Sequence, residues 1–177
     1  KRDGLRIVDP VTAAGPLAVP PAPGGGWKVL TDNTKPSYGA DTPGWQGLSW
    51  APSNDALVKR PFWVIEAIPR DKYYLYGRIE LWIDAEMWDA AWNRKFSWNG
   101  EFVQNYQSQA KINQQAGGGS DPEWLPVSTQ VWACAENVKM DRATLGGLPA
   151  DPQSPSYRRM PIEANLFEST TLTRFGK

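Results

Sequence analysis

Between residues 73 and 98 apolar and polar positions largely alternate, and that alternation, with the apolar run before it, predicts the elements. "KRPFWVIEAIP" (59–69) is a short β-branched and aromatic run bounded by prolines, which reads as a strand. A turn at Asp71–Lys72 follows. "YYLYGRIELWID" (73–84) then puts Tyr73, Leu75, Ile79, Leu81 and Ile83 on one side, and Tyr74, Tyr76, Arg78, Glu80 and Trp82 on the other. A period of two marks a strand with one face in the core. Residues 84–86 make a tight connection. The even positions from 88 to 98 read Trp, Ala, Trp, Arg, Phe, Trp, and the odd positions between them are mostly polar. On a helix Trp98 would point about 160° away from Phe96, whereas on a strand the two share a face. The Asn99-Gly100 pair predicts a type I′ hairpin turn, with "EFVQNYQSQ" (101–109) as the returning strand.

The flanks follow other patterns. Residues 9–26 are crowded with proline and glycine, which predicts a loop or extended arm. Residues 27–57 are turn-rich yet carry Trp27, Tyr38, Trp45 and Trp50, as a strap would that lies over the domain's own core or over a partner. "KINQQAGGGSDPEWLP" (111–126) reads as a flexible crossing, and "STQVWACAENVKM" (128–140) as a further strand. Asp141–Leu145 should form a turn or short helix. Residues 146–165 are again rich in Gly, Pro and Ser, and Leu166, Phe167, Thr170 and Phe175 near helical spacing suggest a short C-terminal helix. The expected organisation is an irregular arm with a possible first strand (1–57), an antiparallel β meander (58–145), and a strap with a terminal helix (146–177). The opening "KRDGLRIVDP" reads as a strand met in mid-course, so the chain is expected to be part of a longer one.

Composition changes this picture in a few places. At 177 residues there is room for one domain with a real core. Ten tryptophans are unusual; 41% hydrophobic and 21% charged residues are not. Lys+Arg and Asp+Glu are 19 each, which argues against a general polyanion binder, so no nucleic-acid partner is expected. With no histidine, Ser-His-Asp and Cys-His catalysis and His-containing zinc sites are excluded. Cys134 stands between two alanines in an apparent strand, which predicts a buried, inert thiol. No run of residues is long and apolar enough for a transmembrane segment.

Candidate chemistry is sparse. Glu66 and Glu80, on neighbouring strands among apolar residues, could serve as general acids or could pair with Arg78, Arg94 or Lys95. Asp84 and Glu86 read as turn formers. Neither glycine-rich stretch has the context of a phosphate cradle, and no calcium-loop spacing occurs, so no metal or cofactor is expected. The aromatic face is the candidate site. Tyr74, Tyr76, Trp82, Trp88, Trp92, Phe96 and Trp98 would form it, either as core or as the lining of a cavity for an apolar ligand.

The stretch "RPFWVIEAIPRDKYYLYGRIELWIDAEMWDAAWNRKFSWNGEFV" resembles the C-terminal part of a Gram-negative outer-membrane lipoprotein-sorting-like family of unknown function. Val64, Glu66 and Ala67 carry the likeness in the first strand, Tyr74, Tyr76, Gly77, Arg78, Ile83 and Asp84 in the second, with Trp88 following. The ending "NLFESTTLTRFGK" is similar to that family's closing helix. The likeness covers residues 58–107 and the last dozen. It implies a mainly β fold: a curved antiparallel half-barrel of the lipoprotein carrier and receptor (LolA/LolB-like) type, with an apolar concavity. By the same implication the protein is non-enzymatic, sits in the periplasm or at the outer membrane, and binds a lipid, lipoprotein or other hydrophobic ligand. Two alternatives stand beside it: a structural accessory subunit whose proline-rich arms wrap envelope partners, and a hydrolase acting through Glu66 and Glu80.

Overall fold

The computed structural model describes residues 1–15, 17–19, 21–28, 37–111, 114–116, 123–125, 129–146, 157–158 and 160–176. The fold is mainly β. Its strands are β1 (Arg2–Val8), β2 (Leu17–Val19), β3 (Trp27–Lys28), β4 (Ala56–Ala67), β5 (Arg78–Asp84), β6 (Ala90–Phe96), β7 (Phe102–Lys111), β8 (Gln114–Ala116), β9 (Glu123–Leu125), β10 (Thr129–Asn137), β11 (Arg142–Gly146) and β12 (Tyr157–Arg158). The short helices are α1 (Pro10–Ala14) and α2 (Ser169–Phe175).

A seven-stranded sheet runs β1-β4-β5-β6-β7-β10-β11. Its curvature comes from strands that change partner along their length. The first half of β4, up to Phe62, pairs with β1, and from Phe62 onward it pairs with β5. Pro61 sits at that changeover, where a missing backbone donor is tolerated. Likewise β7 pairs with β6 over Phe102–Gln107 and meets β1 at Ala110, in parallel with Val8. Asp9 N donates to the Ala110 carbonyl at 3.2 Å and extends the contact. Such stagger is what rolls a sheet into a barrel. The expected curved sheet therefore curls as far as closure of β1, β4, β5, β6 and β7, with β10 and β11 continuing outward from β7.

Several elements differ from expectation for local reasons. Residues 71–77 are turns and bends, and the strand begins only at Arg78, so Tyr73 (85% exposed) and Leu75 (75%) stand in solvent. Trp88 lies before β6 with φ 57°, and Trp98 lies in the hairpin turn after it. That turn is not type I′. Ser97 N donates to the Glu101 carbonyl, only Gly100 takes positive φ (83°), and the register slips between Lys95 and Phe96. This is a three-residue loop with a glycine bulge. Residues 9–26 hold α1, where Asp9 accepts from Thr12 N as N-cap and Pro10 occupies the first turn. Arg142–Gly146 is a strand, and the crossing after β7 contains the short strands β8 and β9.

The register places Arg6, Arg60, Phe62, Glu80, Trp82, Asp84, Trp92, Arg94, Phe96 and Asn105 on one face, hereafter the inner face. Phe62 is fully buried and meets Trp82 edge-on, with ring centroids 5.7 Å apart. Gly4 lies over this pair. A Cβ there would stand 2.9 Å from the Phe62 ring, so the close approach needs glycine. Ile7, Trp132 and Cys134 form a second buried cluster, against which Trp50 and Trp92 pack. Trp50 Nε1 donates to Glu136 at 3.1 Å, and Tyr38 meets Trp132 edge-on at 6.2 Å. Within residues 37–55, then, the aromatic segment straps the domain's own core.

Charge is buried on the same face. Asp84, with no exposed side-chain surface, accepts from Arg6 Nη1 at 2.7 Å and Arg60 Nε at 2.5 Å, and from the amides of Glu86 and Met87 at 3.0 Å each. Burial alone would raise its pKa; the hydrogen bonds from Arg60, Arg6 and the two amides outweigh it and hold the carboxyl at about 2. Arg6, itself fully buried, also chelates Asp89. One carboxylate thus ties β1, β4 and β5 to the turn that starts β6.

The outer face is apolar and open. Trp63 pairs with Ile83, Ile65 with Leu81, and Ala67 with Ile79. Leu57 (62%), Ile65 (51%) and Trp63 (42%) keep much of their surface in water.

Candidate ligand-binding cleft

β1 is fully laddered to β4 along one edge, while its other edge meets β7 only at Val8. Nearer its N-terminus the two edges splay. Trp92 fills part of that gap, its indole Nε1 donating to the Leu5 carbonyl at 2.9 Å as a neighbouring strand would. The remaining space is a cleft of about 370 Å³, within the range of roughly 300–1,000 Å³ typical of small-molecule sites. Gly4 and Leu5 of β1 form one wall and Trp82 of β5 another. Trp92 and Arg94 of β6 and Phe102 and Asn105 of β7 complete the lining.

Most of that lining is apolar, and its polar groups are local and specific. Trp82 Nε1 donates to Glu80 Oε2 at 3.2 Å, which turns the indole's carbon surface to the remaining contacts. The Arg94 guanidinium rests over Phe102, 5.1 Å from its ring centroid, and makes a loose ion pair with Glu80 at 3.8 Å. Asn105 stands directly opposite Arg94 in the ladder and is 7% exposed, and its Oδ1 has no hydrogen-bond partner.

The seven aromatics expected to form the site divide into groups. Trp82 and Trp92 line the cleft and stand opposite each other in the register. Phe96 lies on the same face but is buried beneath Arg78, whose guanidinium carbon is 3.8 Å from the ring centroid. Tyr74 and Tyr76 meet edge-on at 6.2 Å beside the hairpin end; Tyr76 Oη donates to Gln104 Oε1, and Trp98 Nε1 donates to the Tyr74 carbonyl at 2.9 Å. Trp88 is 72% exposed and joins none of them. Glu66 and Glu80 lie directly opposite each other, and Arg78 bridges both. Burial pushes the Cys134 thiol up, and no face of it is exposed.

No family model matches the chain, and no curated protein matches it. Among solved structures it is similar to a crystal structure from Vibrio parahaemolyticus, by description an outer membrane lipoprotein-sorting protein domain. Identity is 17% and the TM-score 0.37, over 65% of this chain and 43% of that one. The chain therefore spans less than half the length of that domain. Among the described residues no helix is long and apolar enough to cross a membrane, and no cluster of His, Cys, Asp and Glu could hold a metal ion.

Gly4, Leu5, Arg94, Phe102 and Asn105 escaped the sequence reading as site residues. β1 lies far from the hairpin in sequence, so nothing local announces it. Arg94 and Asn105 were within reach: pairing outward from the bulged turn at Ser97–Gly100 sets them side by side.

Proposed function

We propose that this chain is a non-enzymatic envelope protein that binds a lipid, a lipoprotein acyl chain or another hydrophobic molecule in the cleft between β1 and the β6–β7 hairpin. The observation that carries the reading is the splayed edge of β1, where Gly4, Trp82 and Trp92 border an open apolar cleft that no side chain of the described residues fills. Aromatic walls give large contact area at small rotamer-entropy cost, which suits a ligand recognised by shape. The envelope location rests on the sequence resemblance of residues 58–107. The decisive experiment is titration with a fluorescent long-chain acyl probe, followed by tryptophan emission. Saturable binding with quenching, weakened about tenfold by Trp82→Leu, is expected, since loss of a stacked aromatic removes roughly 1.4 kcal/mol. Non-saturable uptake, indifferent to Trp82, contradicts the proposal.

A partner-binding role is favoured by a separate observation, the exposed row Leu57, Trp63 and Ile65 on the outer face. Concentration-dependent association in sedimentation, abolished by Ile65→Ser, would support it; a monomer at all concentrations would count against self-association through this row.

A further inference from the structure

The connection between β4 and β5 reads IPRDKYYLYG over residues 68–77, and it holds its large side chains out in water. Ile68, Tyr73, Tyr74 and Leu75 are all exposed, as is Trp98 in the neighbouring turn between β6 and β7. Single apolar side chains on a surface need no explanation, but five large ones on two turns that touch make a patch.

The patch is held in place. Asp71 closes the first turn, its carboxylate accepting from Tyr73 N at 2.9 Å and its carbonyl from Tyr74 N at 3.0 Å. Trp98 Nε1 donates to the Tyr74 carbonyl, and Gly77 N donates to the Phe96 carbonyl, both at 2.9 Å. A Cβ on Gly77 would stand 2.6 Å from Trp98 Cα, so glycine lets the two turns meet. With its one ring donor engaged, Trp98 presents only carbon surface to solvent.

Charge around the patch leans positive, although the whole chain is neutral. Lys72 lies 5.3 Å from the Tyr73 ring centroid and Lys95 5.4 Å from that of Tyr76. With Arg70 they outnumber Asp71, the one carboxylate of the first turn. Further back, Glu101 pairs with Lys139, and Asp141 is offset by Arg142. Glu66 and Glu80 pair with Arg78 and Arg94, with Lys1 and Arg2 beside them.

We infer that the β4–β5 and β6–β7 turns form a docking tip that seats the protein on an anionic lipid bilayer. Tyr and Trp favour the boundary between head groups and acyl chains, where the ring body is apolar and its edge stays wet. Tyr73 and Leu75 enter below the head groups, while Arg70 and Lys72 reach lipid phosphates on their long stems. The mixture decides the occupant. An apolar protein surface has nothing for Arg70 and Lys72, and an acidic one has nothing for Tyr73 and Leu75. An anionic bilayer takes both sets at adjacent depths. This contact is separate from the cleft and does not depend on it.

Flotation of the full chain with vesicles of phosphatidylcholine and phosphatidylglycerol, against phosphatidylcholine alone, tests this. The protein should float with the mixed vesicles and partition roughly tenfold more weakly onto the neutral ones. Tyr73→Ser combined with Leu75→Ser should cut partition onto the mixed vesicles about tenfold. Arg70→Gln combined with Lys72→Gln should cost a similar factor there and little on the neutral vesicles. All four positions are exposed, so an unchanged melting temperature certifies each variant as folded. Absence of flotation, or flotation that survives both double substitutions, overturns the inference. Flotation lost in Trp82→Leu instead would assign the lipid contact to the cleft and overturn the tip. Equal partition onto both kinds of vesicle overturns the anionic preference.

Discussion

Phe62 and Trp63 are adjacent on β4, yet Phe62 is sealed against Trp82 while Trp63 keeps 42% of its surface in water. The same division runs across β5, where Asp84 has no exposed surface and the aliphatic side stacks on the open row of β4. Hydrophobicity alone does not decide which side of a strand is buried. The direction of curl does. Once β1 pairs with β4 and touches β7, the side carrying Arg, Glu and Trp is enclosed, and its charges must find one another. The aliphatic side is left on the convex surface.

The comparison can be broken most forcefully at Asp84. Asp84→Ala leaves Arg6 buried with Asp89 alone and strips Arg60 of its main partner, at a cost of about 4 kcal/mol in urea unfolding. A loss under about 1 kcal/mol would mean that the inner charges are hydrated. Phe62→Ala comes next, with about 3 kcal/mol lost to lost burial and the cavity left beside Trp82. The counterpart on the open side, Ile65→Thr, should change stability by no more than about 0.5 kcal/mol. Comparable losses at Phe62 and Ile65 would erase the distinction between the faces.

Asp55 sharpens the comparison through pH. Burial, against hydrogen bonds from Trp132 and Gln109, pushes its carboxyl up to about 6. The folded protein therefore holds this proton more tightly than the unfolded chain, whose Asp titrates at about 3.9. Its contribution to stability is complete below about pH 4 and is lost as the pH rises through 6. Asp84 acts in the opposite sense: its contribution is present above about pH 4 and lost as the pH falls through 2. Asp55→Asn should flatten the melting-temperature profile between about pH 4 and 7 and raise its neutral end. Gln109, whose Oε1 is buried without a partner, can turn to accept from the new amide. An unchanged profile would show that Asp55 is solvated. The effect is full above about pH 6, where the buried carboxylate is ionised, and vanishes below about pH 4.

Much of the fold was legible: most of β5 and β6 from period-two alternation, β4 from its apolar β-branched run, β7 from the hairpin signal before it, β10 as a further strand, and α2 from helical spacing. Tyr73 to Tyr76 continued the alternation without being strand, because pairing partners for β5 run out at Arg78. The Asn99-Gly100 pair correctly signalled a hairpin, but only Gly100 took positive φ, and the bulge shifted which residues face which. Arg6 was the least legible. In "GLRIV" it looks like a solvent-side charge on an edge strand, and only the tertiary pairing of β1 makes it the centre of a buried cluster. The cleft has the same origin, since β1 supplies the wall that the hairpin sequence could not foretell.

The indole N–H resonances of the tryptophans test the two faces together. Trp82 and Trp92 report on the cleft, and Trp63 on the open row. On titration with the long-chain acyl probe, the signals of Trp82 and Trp92 should shift saturably, with Trp92 most affected because its N–H holds the Leu5 carbonyl at the cleft wall, and Trp63 should stay in place. Movement of Trp63 with Trp82 and Trp92 unperturbed would put the ligand on the convex side and contradict the account.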